Sequence, residues 1–289
     1  MHTIQNNVLR INISAKGAEL NSLFHIPSNT EHLWQADNKW WGWHAPVLFP
    51  IIGRCLHDEI TIGGKKYPLE KHGFARHANF KCVAESANEL QFLFSENEST
   101  LAVFPYRFNF KITYRIQDNT LIQSYQVENT GDETMYFSLG AHPAFAVPFY
   151  ANESFEDYHI QFEKKETLER HHINTDGFFD HRKSIVSLDG RINLRPALFN
   201  DDALIFKNHT SRALSIQSRN HQQQLTVKFQ GFPYLGIWTK EGAPYVCIEP
   251  WYGCADSADS ATDFKKKEGI LTLVKGEKFN AAFTVAISQ

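Results

Sequence analysis

The sequence predicts an all-β protein, a large antiparallel sandwich or barrel. Three observations predict it. The stretch "YRFNFKITYRI" (106–116) alternates almost without interruption: Tyr106, Phe108, Phe110, Ile112, Tyr114 and Ile116 fall on one face, and Arg107, Asn109, Lys111, Thr113 and Arg115 on the other. Period two over that length is a strand with one solvated face. Similar runs recur along the chain, separated by short turn-forming stretches. Helical periodicity is scarce, so layers of sheet are the remaining way to build a core.

The elements follow in order. "ELQFLFSEN" (89–97) is a strand entering the long one. "DNT" at 118 is a turn, and "LIQSYQVENTG" (121–131) is the antiparallel return. "TMYFSL" (134–139) runs as a strand into "GAHPAFAVP" (140–148). Residues 150–200 are less regular and suggest an inserted excursion carrying "HHINTDGFFDHRKS". "LSIQSR" (214–219), "QLTVKFQ" (224–230) and "GILTLVKGEKFNAAFTVAIS" (269–288) close the set. "SADSATDFKKKEG" (257–269) holds at most one helical turn or a lid-like loop. No low-complexity linker or internal repeat divides the chain, so a single domain over 1–289 is expected.

Composition narrows the partners. The chain has 289 residues, 42% hydrophobic and 21% charged, an ordinary globular balance. A net charge of −3 argues against nucleic acid or an anionic membrane surface and leaves small molecules. Aromatics are abundant, with 23 Phe, 10 Tyr and 6 Trp, and such rings favour strands and line sugar sites. No basic segment followed by an apolar one opens the chain, and no apolar run is long enough to span a bilayer. The four cysteines, Cys55, Cys82, Cys247 and Cys254, are dispersed and form no C-x-x-C pair. A cytoplasmic protein with reduced thiols is expected.

Five places set polar groups into apolar or glycine-marked surroundings: Arg54 in "PVLFPIIGRC", the trio His72, Arg76 and His77 in "YPLEKHGFARHANF", His142 in "GAHPAF", Asp202 in "LFNDDALIF", and Glu249 in "YVCIEPWYG". Glu249 is the most informative. A carboxylate at the end of a buried strand costs free energy unless it is paired or used, and burial raises its pKa toward the range of a general base. Each also has a bland reading. Glu249 alone fits a strand-end ion pair, His142 a satisfied structural histidine, and Arg54 a structural ion pair. His171 and His172 are adjacent, so in a strand they face opposite sides and chelate poorly. "HGFARH" spaces its histidines by five with no third ligand nearby, so no metal is expected. G-x-S-x-G, G-x-G-x-x-G and phosphate-loop patterns are absent.

"FPIIGR", "HGFAR", "GAHPAF" and "IEPWYG", in this order and at these intervals, resemble the aldose 1-epimerase (galactose mutarotase-like) family, most closely its LacX-type branch. The resemblance runs from "GAELNSL" (17–23) to the closing strands. It implies a β-supersandwich and an isomerase that opens and recloses a sugar ring without a cofactor or metal. Carried onto this sequence, Glu249 is the general base and His142 the general acid. Arg54 and His72 hold sugar hydroxyls or the ring-oxygen region, Asp202 binds further hydroxyls, and Arg76 approaches from the His72 loop. Trp238, with Phe137 or Trp251, walls the sugar's apolar face. Asp201 is adjacent to Asp202, so which of them faces the site is open. The expected partner is a small-molecule sugar, and the protein a monomer or homodimer. A "NHTYFNL"-like stretch around the acid histidine is replaced here by "LGAHPAF", which leaves the substrate open. The resemblance therefore also admits a hexose-6-phosphate 1-epimerase, with Arg54 and Arg76 on the phosphate, or a carbohydrate-binding protein without catalysis. A glycoside hydrolase using Asp202 and Glu249 would leave His142 without a role.

Overall fold

A computed structural model describes residues 1–288 and has the antiparallel all-β architecture. One nine-stranded sheet runs in the order Arg191–Asn193, Tyr158–Phe162, Ala213–Ser218, Gln224–Lys228, Lys278–Ser288, Thr120–Asn129, Phe108–Gln117, Glu89–Ser95, Lys81–Glu85. An eight-stranded sheet runs Phe179–Ser187, Leu168–Ile173, Leu204–Phe206, Tyr234–Trp238, Tyr245–Tyr252, Leu139–Ala141, Val47–Leu48, and Ala144–Ala146 also pairs with Tyr245–Tyr252. A four-stranded sheet is formed by His2–Gln5, Leu9–Ile13, Leu20–His25 and Thr30–Glu31.

The alternation in the sequence has the packing it calls for. Along Phe108–Gln117, Phe108, Phe110, Ile112, Tyr114 and Ile116 are buried while the intervening residues meet solvent. The strand pairs with Thr120–Asn129 through a two-residue turn, in which Asp118 takes a φ of 52°. The two large sheets share one core: Phe110 and Ile216 from the first lie in the same buried cluster as Phe206, Ile237 and Ile248 from the second. Phe162 meets Phe206 edge-on across the layer at 5.8 Å between ring centres.

Residues 150–200 correct the expectation of an inserted excursion. Tyr158–Phe162 and Arg191–Asn193 belong to the nine-stranded sheet, and Leu168–Ile173 with Phe179–Ser187 forms an edge of the eight-stranded one. Their pairing shifts register between Leu168 and Glu169 and again between His171 and Ile173. Such bulges break period two and hide the strands from a pattern search. An α-helix, Glu98–Val103, capped by Asn97 through the Thr100 amide, also escaped notice because six residues are too few to show a period. The "SADSATDFKKKEG" stretch contains one 3₁₀ turn, Phe264–Lys266. All four cysteines are free, and among the described residues no helix is long and apolar enough to cross a membrane.

Candidate active site

The site is built on the strand Tyr245–Tyr252. Its residues are buried on both faces up to Trp251, so it reads as a continuous apolar run rather than an alternating one. The two faces nonetheless have different neighbours. Val246 and Ile248 enter the main core, whereas Cys247 and Trp251 belong to separate small clusters on the other side. Glu249 lies between those two, on their face, by the period of two.

Register brings the histidine to the carboxylate. Leu139–Ala141 and Ala144–Ala146 both pair with Tyr245–Tyr252, Gly140 opposite Trp251 and Ala144 opposite Cys247. The interval between those pairs sets His142 opposite Glu249, and His142 Nε2 stands 3.0 Å from Glu249 Oε2. Two glycines make the close approach of the indole feasible. A Cβ on Gly140 would lie 2.5 Å from the Trp251 ring, and one on Gly236, on the opposite flank, 2.6 Å from it.

His72 is fixed by a reciprocal clasp: its amide donates to the Gly53 carbonyl at 2.9 Å, and the Gly53 amide donates to its Nδ1 at 3.1 Å. With Nδ1 accepting, the neutral ring carries its proton on Nε2. Its ring meets that of His142 edge-on at 5.8 Å.

These groups line one cavity of about 220 Å³, with Trp41, Lys71, His72, Arg76, His142, Asp202, Trp238, Glu249 and Trp251 among its walls. That is on the order of seven water volumes at ~30 Å³ each, the size range of one sugar ring. Trp41 lies over the His142 ring at 4.8 Å with a tilt of 30°, and Trp238 meets the same ring edge-on at 5.8 Å. Flat aromatic walls flank a short list of polar groups, the usual make-up of a small-molecule site.

Burial dominates the electrostatics. Glu249 is 2% exposed and its carboxyl is pushed well above the usual range by desolvation, with Lys71 opposing and Asp202 reinforcing the shift. His142 is pushed down to about 3 by the same cause. Both directions favour the state in which the pair's one proton sits on the Glu249 carboxyl and His142 is neutral, with the ring 3.0 Å away. His72 is likewise pushed well below its ordinary value by burial and stays neutral. Arg76, stacked 5.6 Å over Trp43, has its pKa lowered by burial.

Seven residues were expected in the site, and six line the cavity: Glu249, His142, His72, Asp202, Arg76 and Trp238. Asp202 rather than Asp201 does so, in a turn where its φ is 73°. Arg54 stands apart. Its guanidinium is bound to Asp58 and to the Asp176 carbonyl, and it borders a neighbouring groove instead. The ion-pair reading of Arg54 is the one that fits. Phe137 is buried in the main core, leaving Trp251 as the wall of that pair. Trp41 and Lys71 were missed. The "WWGW" cluster at 40–43 was the available signal for the first, and adjacency to His72 for the second.

The family model for aldose 1-epimerase matches residues 1–283. Among curated proteins, the plasmid-encoded Protein LacX of Lactococcus lactis is 28% identical, with 98% of each chain aligned. Among solved structures, a galactose mutarotase related enzyme from Lactobacillus acidophilus is 36% identical with a TM-score of 0.96, covering 100% of this chain and 97% of that one. A galactose mutarotase-like protein from Lactobacillus casei is 34% identical with a TM-score of 0.94 and full coverage of both chains.

Proposed function

We propose that this chain, which belongs to the aldose 1-epimerase family, interconverts the α and β anomers of an aldose by opening and reclosing the sugar ring. The observation that carries the reading is the His142–Glu249 contact of 3.0 Å, buried at the wall of a cavity of sugar-ring size. A binding protein has no use for a desolvated acid–base pair, which is costly to maintain.

The chemistry follows from the proton that the pair holds. A cyclic aldose has a hydroxyl on C1 and an ether oxygen in the ring. In the active tautomer the proton sits on His142 and Glu249 is ionised. Glu249 takes the C1 hydroxyl proton as His142 gives its own to the ring oxygen, the C1–O5 bond breaks, and the aldehyde forms. The proton count of the pair is unchanged. Rotation about C1–C2 presents the other carbonyl face, and the reverse transfers close the ring. His72, with its proton on Nε2, donates a hydrogen bond to a substrate oxygen, and Asp202 at the rim accepts from hydroxyls. Trp41, Trp238 and Trp251 cover the apolar faces and exclude water.

A phosphorylated aldose is a second reading, and a specific observation favours it. Lys71 and Arg76 both line the cavity, and among the described residues neither forms a salt bridge with a carboxylate. Pure anomers of free and 6-phosphorylated aldoses, followed by polarimetry or NMR exchange, test both readings. Catalysed exchange with a free sugar supports the first, and exchange confined to phosphorylated sugars the second. No acceleration with any member of the panel overturns the enzyme reading.

A further inference from the structure

One group beside the acid–base pair has no part in that mechanism. Cys247 lies two residues before Glu249 on the same strand and the same face, fully buried, and Ala144 is its cross-strand partner just beyond His142. A ligand atom from each of His142, Cys247 and Glu249 lies within 4.8 Å of the other two. We propose that these three side chains form a binding site for a zinc-type divalent cation, whose occupancy reversibly blocks the enzyme.

The donor set selects the metal. Thiolate, imidazole and carboxylate together suit zinc and its close relatives; calcium and magnesium take oxygen ligands. Three protein ligands leave a fourth tetrahedral position. His142 and Glu249 line the cavity and Cys247 does not, so the cation enters from the cavity, Cys247 closes the site from behind, and the fourth position faces the sugar pocket. Burial holds the Cys247 thiol protonated, well above its ordinary pKa, until a cation displaces the proton. On binding, the thiol proton and the one proton of the His142–Glu249 pair both leave to solvent, and three ligand bonds form. No electron transfer is involved. Occupied in this way, the pair has no proton to exchange with a sugar. The inhibitory consequence rests on the anomerase reading; the cation site does not.

The second triangle of the same type, His2, Cys82 and Glu85, serves as an internal control. It lies on the surface, with Glu85 exposed. Cobalt(II) is the probe, because it takes zinc's ligands and shows thiolate coordination as a near-ultraviolet charge-transfer band. One equivalent should produce that band in the wild-type chain and in Cys82→Ser, and not in Cys247→Ser or Cys247→Ala, with zinc erasing it. Absence of the band in wild type overturns the proposal, as does a band that survives at Cys247→Ala or disappears only in Cys82→Ser. These readings need no turnover, so they stand apart from any failure of the anomerase assay. In that assay, saturating zinc should lower the wild-type rate at least ~10-fold and a chelator should restore it, while Cys247→Ser, checked for an unchanged circular dichroism spectrum, should need at least ~10-fold more zinc for half inhibition. Equal sensitivity of the two proteins would overturn the inhibitory role.

Discussion

Glu249→Gln is the perturbation with the clearest expected result. The amide keeps the shape of the side chain and can still donate a hydrogen bond to the His142 ring, but it cannot accept the C1 hydroxyl proton. Loss of a general base costs roughly 10²–10⁴ in rate, or about 3–5.5 kcal/mol of transition-state free energy. Stability should move the other way. The unfolded glutamate ionises near its ordinary value of 4.5, and burial raises the folded one well above it. The unfolded chain therefore releases its proton first, and wild-type stability declines as pH rises from 4.5 through the folded pKa, at up to ~1.4 kcal/mol per pH unit. A glutamine does not titrate and escapes that decline. The assay is polarimetric anomerisation beside thermal melts at pH 5 and pH 8. The variant should be nearly inactive, with a melting temperature at pH 8 no lower than wild type. Turnover close to wild type would remove Glu249 from the mechanism. A collapse in melting temperature at both pH values would show that the carboxylate is structural.

Further outcomes follow from other parts of the molecule. His142→Asn can hydrogen-bond a ring oxygen but not protonate it, so initial rates should fall on the order of 100-fold or more with the melt little changed; normal rates would assign the ring to structure. Trp41→Ala removes an aromatic wall of the cavity, and for ~0.5–1.5 kcal/mol of lost contact with the sugar the KM should rise about 2- to 12-fold; an unchanged KM would take the tryptophan out of the sugar's path. His32 is fully buried and held down to about 3 by burial, with His25 and His221 adding repulsion. The unfolded ring protonates first, near 6.5, so stability is lost as pH falls from there toward 3, by up to about 5 kcal/mol from this residue. In urea titrations across that range His32→Gln should show a shallower pH dependence than wild type, and parallel slopes would refute the assignment. Dialysis against a chelator should leave turnover unchanged or raised; a loss that one divalent metal restores would contradict acid–base catalysis by side chains alone.

Legibility in the sequence tracked solvent exposure of one face. Phe108–Gln117 declared itself because every second residue is wet. Tyr245–Tyr252, which carries the site, shows no alternation, and it was found through the anomaly of a carboxylate in an apolar run. His142, His72 and Asp202 were placed in the site by the family resemblance that their motifs carry. Trp41 sits in irregular chain between Thr30–Glu31 and Val47–Leu48, where no period exists to betray a function. Arg54, expected in the site, lies outside the cavity lining. The motif "FPIIGR" said nothing of Asp58, four residues on, which occupies the guanidinium.

The doubly buried strand Tyr245–Tyr252 has a consequence for how the protein tolerates change. Odd positions (247, 249, 251) face the small clusters beside the cavity and even ones (246, 248) the main core. Variation at the half-buried Trp238, opposite Cys247 on the same face, should retune which sugars are accepted with melting little changed, whereas variation at Val246 or Ile248 should shift melting and spare selectivity. Parity along one strand thus gives alternate positions different neighbourhoods, though both sets are buried.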